Sequence, residues 1–336
     1  MAPAQARSPQ SNRSLGRYRG CLLGLAIGDA VGAPVEFLTA AEIRARYGPE
    51  GIAEFDGWRG HPPGSFTDDT QMSLATAIGL LSAYADEAER GQSHVVGSLY
   101  GAYRAWLELQ DDPAEQRAPG KTCISALASG RIGAISQPLN DSKGCGGVMR
   151  TAPVGLAFPA DLAFRHGAAA AAITHGHPSG YLSAGFLAEL VARAADGEDL
   201  FTAIGETCNS LAAYDGHAET LAAVNRAATL AAGPVPTGEA LGTLGTGWVG
   251  EEALAIALFC ALRHGADVRA AIRAAANHDG DSDSTASICG AILGTAYGVD
   301  TLPRAWVDTV ERKDLIDGVA RRMHDAFVLG RSHERG

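Results

Sequence analysis

Apolar residues recur three and four positions apart through most of the chain, while alternating strand-like runs are almost absent. This periodicity predicts an all-α fold in a single compact domain. Helices are expected over residues 17–35, 40–47, 72–81, 95–109 and 122–129, then over 164–172, 180–195, 200–212, 218–232, 251–263, 267–276, 286–298 and 317–329. Proline and glycine punctuate 48–65 and 111–120, which read as loops.

Two of these helices carry an unusual pattern. Gly20, Gly24, Gly28 and Gly32 fall at strict four-residue spacing, and Gly290, Gly294 and Gly298 repeat the device near the end. Glycine inside a helix costs about 1 kcal/mol against alanine, so such stripes must be offset by close backbone packing or by room for a ligand. The first helix and the 286–298 helix are therefore expected to be core neighbours.

Polar chemistry gathers at helix starts. The stretch His278-Asp279-Gly280-Asp281-Ser282-Asp283-Ser284-Thr285 runs straight into an uncharged segment, and Thr67-Asp68-Asp69-Thr70 does the same after Pro62, Pro63 and Gly64. Asp and Ser cap helices well, and helix N-termini tolerate anions. Two bare acidic starts would repel if they met, so a meeting requires a cation between them. Thr67, Asp68, Asp69, Asp281, Asp283 and Ser284 together supply hard oxygen donors suited to Mg²⁺, Mn²⁺ or Ca²⁺, enough for one or two six-coordinate ions completed by water. Glu36, in Pro34-Val35-Glu36-Phe37, is an acid among residues expected to be buried, where its pKa rises and it can exchange protons near neutrality. Asp29 lies at the end of the first glycine stripe.

A glycine-rich loop follows: Asp141-Ser142-Lys143-Gly144-Cys145-Gly146-Gly147-Val148-Met149-Arg150. Its glycines let backbone amides converge on an anion, and Ser142 and Lys143 add a hydroxyl and a charge. It matches neither a Walker A loop nor a dinucleotide fingerprint. His175-Gly176-His177-Pro178 fits a ligand-contacting loop better than a zinc site, with His175 the polar contact and His177 its neighbour. Trp248 is a candidate for core or pocket wall.

Composition narrows the setting. The 336 residues carry a formal net charge of −11 spread along the chain, which argues against a general nucleic-acid grip. Six scattered cysteines without a Cys-x-x-Cys pair point to a reducing, cytoplasmic setting. No uninterrupted apolar window reaches membrane-spanning length. Residues 1–16 read as a disordered lead-in and 331–336 as a tail, with a monomer as the default.

Five pieces occur in order: Gly28-Asp29-Ala30-Val31-Gly32 with Glu36, Phe66-Thr67-Asp68-Asp69-Thr70, Gly144-Cys145-Gly146-Gly147-Val148-Met149-Arg150, Thr174-His175, and Gly280-Asp281-Ser282-Asp283-Ser284. Over 18–297 the chain resembles the ADP-ribosylglycohydrolases. The resemblance implies an all-α fold with two Mg²⁺ or Mn²⁺ ions held by Thr67, Asp68, Asp69, Asp281, Asp283 and Ser284. It further implies that the loop 142–147, opened by Asp141, wraps the diphosphate and adjacent ribose of ADP-ribose, and that His175 lies beside the ligand. Glu36 and Asp283 become the candidate catalytic carboxylates for hydrolysis of the bond from ribose C1 to a modified acceptor on a protein or small molecule. Arginine is the favoured acceptor; serine, a nucleic-acid base or a small molecule is the alternative. A catalytically inactive ADP-ribose reader and a hydrolase of another nucleotide N-glycoside are the competing readings. Relatives commonly carry asparagine where this chain has Cys145.

Overall fold

The computed structural model describes residues 13–330. Its first half runs α1 (Leu15–Gly32), α2 (Ala40–Tyr47), α3 (Asp68–Arg90), α4 (Val95–Leu109), α5 (Lys121–Ala128), α6 (Ala152–Ala157), α7 (Ala160–Ala172) and α8 (Pro178–Ala195). The second half runs α9 (Leu200–Leu211), α10 (Ala218–Ala232), α11 (Thr237–Leu241), α12 (Gly250–His264), α13 (Val268–Ala276), α14 (Ser282–Tyr297), α15 (Arg304–Thr309) and α16 (Lys313–His324). Among the described residues no strand forms; pairing is limited to isolated bridges such as Gly144 with Val249.

The two glycine-striped helices pack directly against each other at the centre, as their spacing predicts. A methyl group on Gly24 would run into the Gly290 carbonyl oxygen, and one on Gly290 into that of Gly24. Only bare backbones permit this approach, and the contact offsets the helix-propensity cost of the glycines. Around the pair, α8, α12 and α13 pack on α14 and bury apolar side chains such as Phe186 and Phe259. Nearly all of α1 from Tyr18 to Gly32 is buried, so its apolar length belongs to the core. Among the described residues no single helix is long and apolar enough to cross a membrane.

The reading of 1–16 as a lead-in needs correction at its end; residues 1–12, like the tail 331–336, lie outside the described residues. Ser14 caps α1 by accepting the Arg17 amide, so the helix begins at Leu15. Arg13 is buried, pairing with Asp196 at 2.8 Å and donating to the Leu156 carbonyl at 3.0 Å. Other helices extend past their apolar periodicity where a cap is present. Thus α3 starts at Asp68 because Thr67 caps it, and ends at Gly91, whose φ of 67° is left-handed. Helices α11 and α15 are too short to show a period and were not expected.

Candidate active site

Thr67 accepts the Asp69 amide on its hydroxyl at 3.2 Å, and its own amide donates to Asp29 Oδ1 at 2.9 Å. Asp29, fully buried on α1, uses Oδ2 to accept the Thr70 amide at 3.0 Å and the Thr70 hydroxyl at 2.6 Å. A carboxylate of the glycine-striped helix thus holds the first turn of α3, where orphan amides and the helix dipole favour an anion. Asp68 is oriented by the Gly120 amide, which donates to Oδ2 at 3.1 Å.

The second acidic start is positioned from the other side. Gly280 takes a φ of 113° just before α14, accepts the Phe37 amide at 3.0 Å and donates to the Leu38 carbonyl at 3.3 Å. These bonds tie the start of α14 to the turn that carries Glu36. Ligand atoms of Glu36, Asp281 and Asp283 consequently lie within 4.8 Å of one another. Together with Asp68, Asp69 and Ser284 they line one cavity of about 500 Å³.

Burial, reinforced by the charge of Asp283, pushes Glu36 up to about 11. The same two causes raise Asp29 to about 7. Burial also raises Asp68, Asp69 and Asp281 well above the usual carboxylate range. Asp69 Oδ2 and Asp283 Oδ1 are buried without a hydrogen-bond partner. Leaving such an acceptor unpaired costs about 1–3 kcal/mol, and more when it is charged. Arg59 and Lys121 are the described cations that line the cavity, and Arg59 opposes part of the Glu36 shift. Orphaned, crowded oxygen donors of this kind fit a hard divalent cation.

The glycine loop closes a further side. The Cys145 amide donates to the Trp248 carbonyl at 3.1 Å and the Gly250 amide to the Lys143 carbonyl at 2.8 Å, pinning the loop along residues 248–250. Gly144, Cys145 and Gly146 line the cavity beside His175. The His175 Nδ1 contacts the Thr174 hydroxyl at 2.8 Å, and that hydroxyl accepts from Arg150 Nη2 at 2.7 Å. Burial and the Arg150 charge press the imidazole down to about 3, so it is neutral at ordinary pH.

Asp141, Ser142, Lys143 and Gly147 stand outside the cavity wall. Lys143 turns its ammonium to Glu219 and buried Glu251, at 2.6 Å from each, because those carboxylates on neighbouring helices satisfy it at once. Ser142 stands behind the loop, its hydroxyl accepting the Gly144 amide at 3.3 Å and meeting Thr122 at 3.2 Å. Gly147 is buried against α8, where a side chain would strike the Gly180 carbonyl, and Asp141 is exposed. Thr67 is fully buried, and its hydroxyl caps α3 directly before Asp68 and Asp69. His177 caps α8, its Nδ1 accepting the Ser179 amide at 3.1 Å.

Several site residues were not expected. Asp29 is the only charge in an otherwise apolar stretch, a signal of buried polar work that sequence reading noted without assigning a role. The wall formed by 118–122 comes from what read as the end of a loop and the start of the next helix. Trp248 proves to be pocket wall, stacked on Phe37 with ring centroids 4.8 Å apart, and the Arg59 guanidinium lies 5.5 Å over the Phe37 ring.

Among the described residues the domain is all-helical and gathers carboxylates from distant helix starts beside a glycine loop. The family model described as ADP-ribosylglycohydrolase matches residues 10–332, and the chain belongs to that family. It is 28% identical over 319 residues to the ADP-ribosyl-(dinitrogen reductase) glycohydrolase of Rhodospirillum rubrum, covering 93% of this chain and 95% of the relative. Human ADP-ribosylhydrolase ARH3 is 26% identical over 357 residues, covering 94% of each chain. ADP-ribosylarginine hydrolase Tri1 of Serratia proteamaculans is 26% identical over 326 residues, with 94% of this chain and 80% of the relative covered. Among solved structures, an ADP-ribosylglycohydrolase-related protein complex superposes with a TM-score of 0.70 at 26% identity, covering 93% of this chain and 98% of that one.

Proposed function

We propose that this chain hydrolyses the glycosidic bond between ADP-ribose and an ADP-ribosylated acceptor, arginine foremost, and that it does so with two Mg²⁺ or Mn²⁺ ions. The observation that carries the reading is the meeting of Glu36, Asp68, Asp69, Asp281 and Asp283 in one cavity walled by Gly144 to Gly146. Arginine is favoured because a relative named for ADP-ribosylarginine aligns with 94% of this chain.

Asp68, Asp69, Asp281 and Asp283 would hold the cations, with Thr67 and Ser284 adding hydroxyl donors. Bound cations supply positive charge that offsets the carboxylates and polarises oxygen atoms of ribose and water. Glu36, which burial and the charge of Asp283 keep protonated at neutral pH, gives a proton to the departing acceptor atom as the bond to ribose C1 breaks. C1 then passes through an oxocarbenium-like state until water adds, its proton returning to the Glu36 carboxylate. The bare backbone of Gly144 and Gly146 admits the diphosphate at close range, and neutral His175 offers it a hydrogen-bonding ring without demanding a counter-ion.

The test is a panel of defined ADP-ribosylated substrates carrying arginine, serine, a nucleic-acid base or a small-molecule ester, scored for released ADP-ribose. Release from ADP-ribosylarginine in Mg²⁺ or Mn²⁺, abolished by EDTA, is expected. No release from any substrate, or release indifferent to EDTA, would overturn the reading.

A further inference from the structure

Cys145 places sulfur in the midst of this oxygen cluster. Its Sγ lies 2.7 Å from Asp281 Oδ2, and the Ser284 hydroxyl reaches it at 3.7 Å. The backbone fixes this position: the Cys145 amide is bound to Trp248, and its carbonyl accepts the Val148 and Met149 amides at 2.9 and 3.1 Å. The thiol is therefore presented to the carboxylates by a braced turn. Cys123 also lines the cavity, but its sulfur faces the Arg150 guanidinium at 3.5 Å, and the four remaining cysteines are not part of that wall.

Asp69 and Asp283 line the same cavity and each keeps one buried carboxylate oxygen without a hydrogen-bond partner, so a cation arriving there meets hard oxygens and one soft sulfur together. Mg²⁺ and Mn²⁺ have little use for a thiol, whereas Zn²⁺ and Cd²⁺ bind thiolate strongly and also accept carboxylate. We infer that this site binds thiophilic divalent ions with Cys145 Sγ and Asp281 as ligands, in competition with Mn²⁺ or Mg²⁺. The thiol proton leaves to solvent as the metal–sulfur bond forms, and no oxidant or reductant is needed. The inference rests on the metal-site reading proposed above and makes ion identity depend on position 145.

The test uses the full chain, stripped of metal and titrated with CdCl₂ while the ultraviolet sulfur-to-cadmium charge-transfer band is followed. Wild type is expected to develop a saturable band that Cys145→Ser loses and Cys123→Ser keeps. Cys145→Ser is expected to weaken Cd²⁺ binding by roughly tenfold or more. Its Mn²⁺ affinity, read from the free-ion electron paramagnetic resonance signal, should change less. As a measurement on wild type alone, Zn²⁺ should protect Cys145 from alkylation at concentrations where Mg²⁺ does not, scored by peptide mass mapping. A wild type without the band, a band that survives Cys145→Ser, or equal protection by Zn²⁺ and Mg²⁺ overturns the inference. Failure of the hydrolase reading is separable: it would show as absent turnover with the cadmium band intact.

Discussion

Asp283→Asn removes one of three carboxylates whose ligand atoms converge within 4.8 Å. Two full charges at such a separation repel by about 3–4 kcal/mol at an effective dielectric of about 20. Glu36, pushed up to about 11, stays protonated at neutral pH, and Asp281 is raised well above the usual carboxylate range, so the repulsion of one full pair is the ceiling on what the substitution relieves. Metal-free Asp283→Asn should therefore be more stable than metal-free wild type by up to about 3 kcal/mol, a rise of up to about 4 °C in melting temperature for a chain of this size. Divalent cations should reverse the order. Binding stabilises the native state by about 2.7 kcal/mol at a hundredfold excess over Kd, a gain available to wild type and largely denied to a variant lacking a ligand. Differential scanning calorimetry of both proteins in EDTA and across a Mg²⁺ titration reads the crossing directly, and ADP-ribose release should be lost in the variant. If Asp283→Asn kept the full Mg²⁺-induced rise, Asp283 would not be a ligand. If neither protein responded to the ion, the case for a metal site would fail.

Three other outcomes follow from the geometry. Glu36→Gln should lower kcat/KM by about 10²- to 10⁴-fold while retaining most of the cation-induced stabilisation, and a variant with unimpaired turnover would remove Glu36 from the proton step. His175 sits near 3 in the folded chain against an unfolded value of 6.5, so the unfolded state takes the proton first as pH falls. Its contribution is complete above about pH 6.5 and is lost towards pH 3 at about 1.4 kcal/mol per unit; His175→Gln should flatten the slope of urea-derived stability between pH 6 and 4, and an unchanged slope would contradict the assignment. Gly24→Ala should destabilise by about 3 kcal/mol or more, because its methyl meets the Gly290 backbone where no side chain can yield; a melting temperature equal to wild type would show the helices free to separate.

The glycine-loop geometry changes how charge near the ligand is understood. Lys143 is already neutralised by Glu219 and Glu251, so it serves to brace the loop against α10 and α12. What the loop presents to the cavity is backbone, sulfur and the neighbouring His175. The cations in the cavity wall are Lys121 and the exposed Arg59, whose guanidinium stands over Phe37 where that ring stacks on Trp248.

Much of this was legible in one dimension. The period of apolar residues specified helices and no strands, and the bare stripes on α1 and α14 announced a contact because only backbone-to-backbone packing offsets so many glycines. The paired acids identified themselves because carboxylates at helix starts are local chemistry that needs no partner to be recognised. The direction of a side chain is different, since it depends on whatever distant segment satisfies it. Only the folded chain could turn Lys143 away to two glutamates, assign Thr67 and Asp29 to holding α3, stack Trp248 on Phe37 and set the Cys145 sulfur against Asp281. Periodicity along the chain reports which face is buried; what a polar atom meets there is decided by residues often more than a hundred positions away.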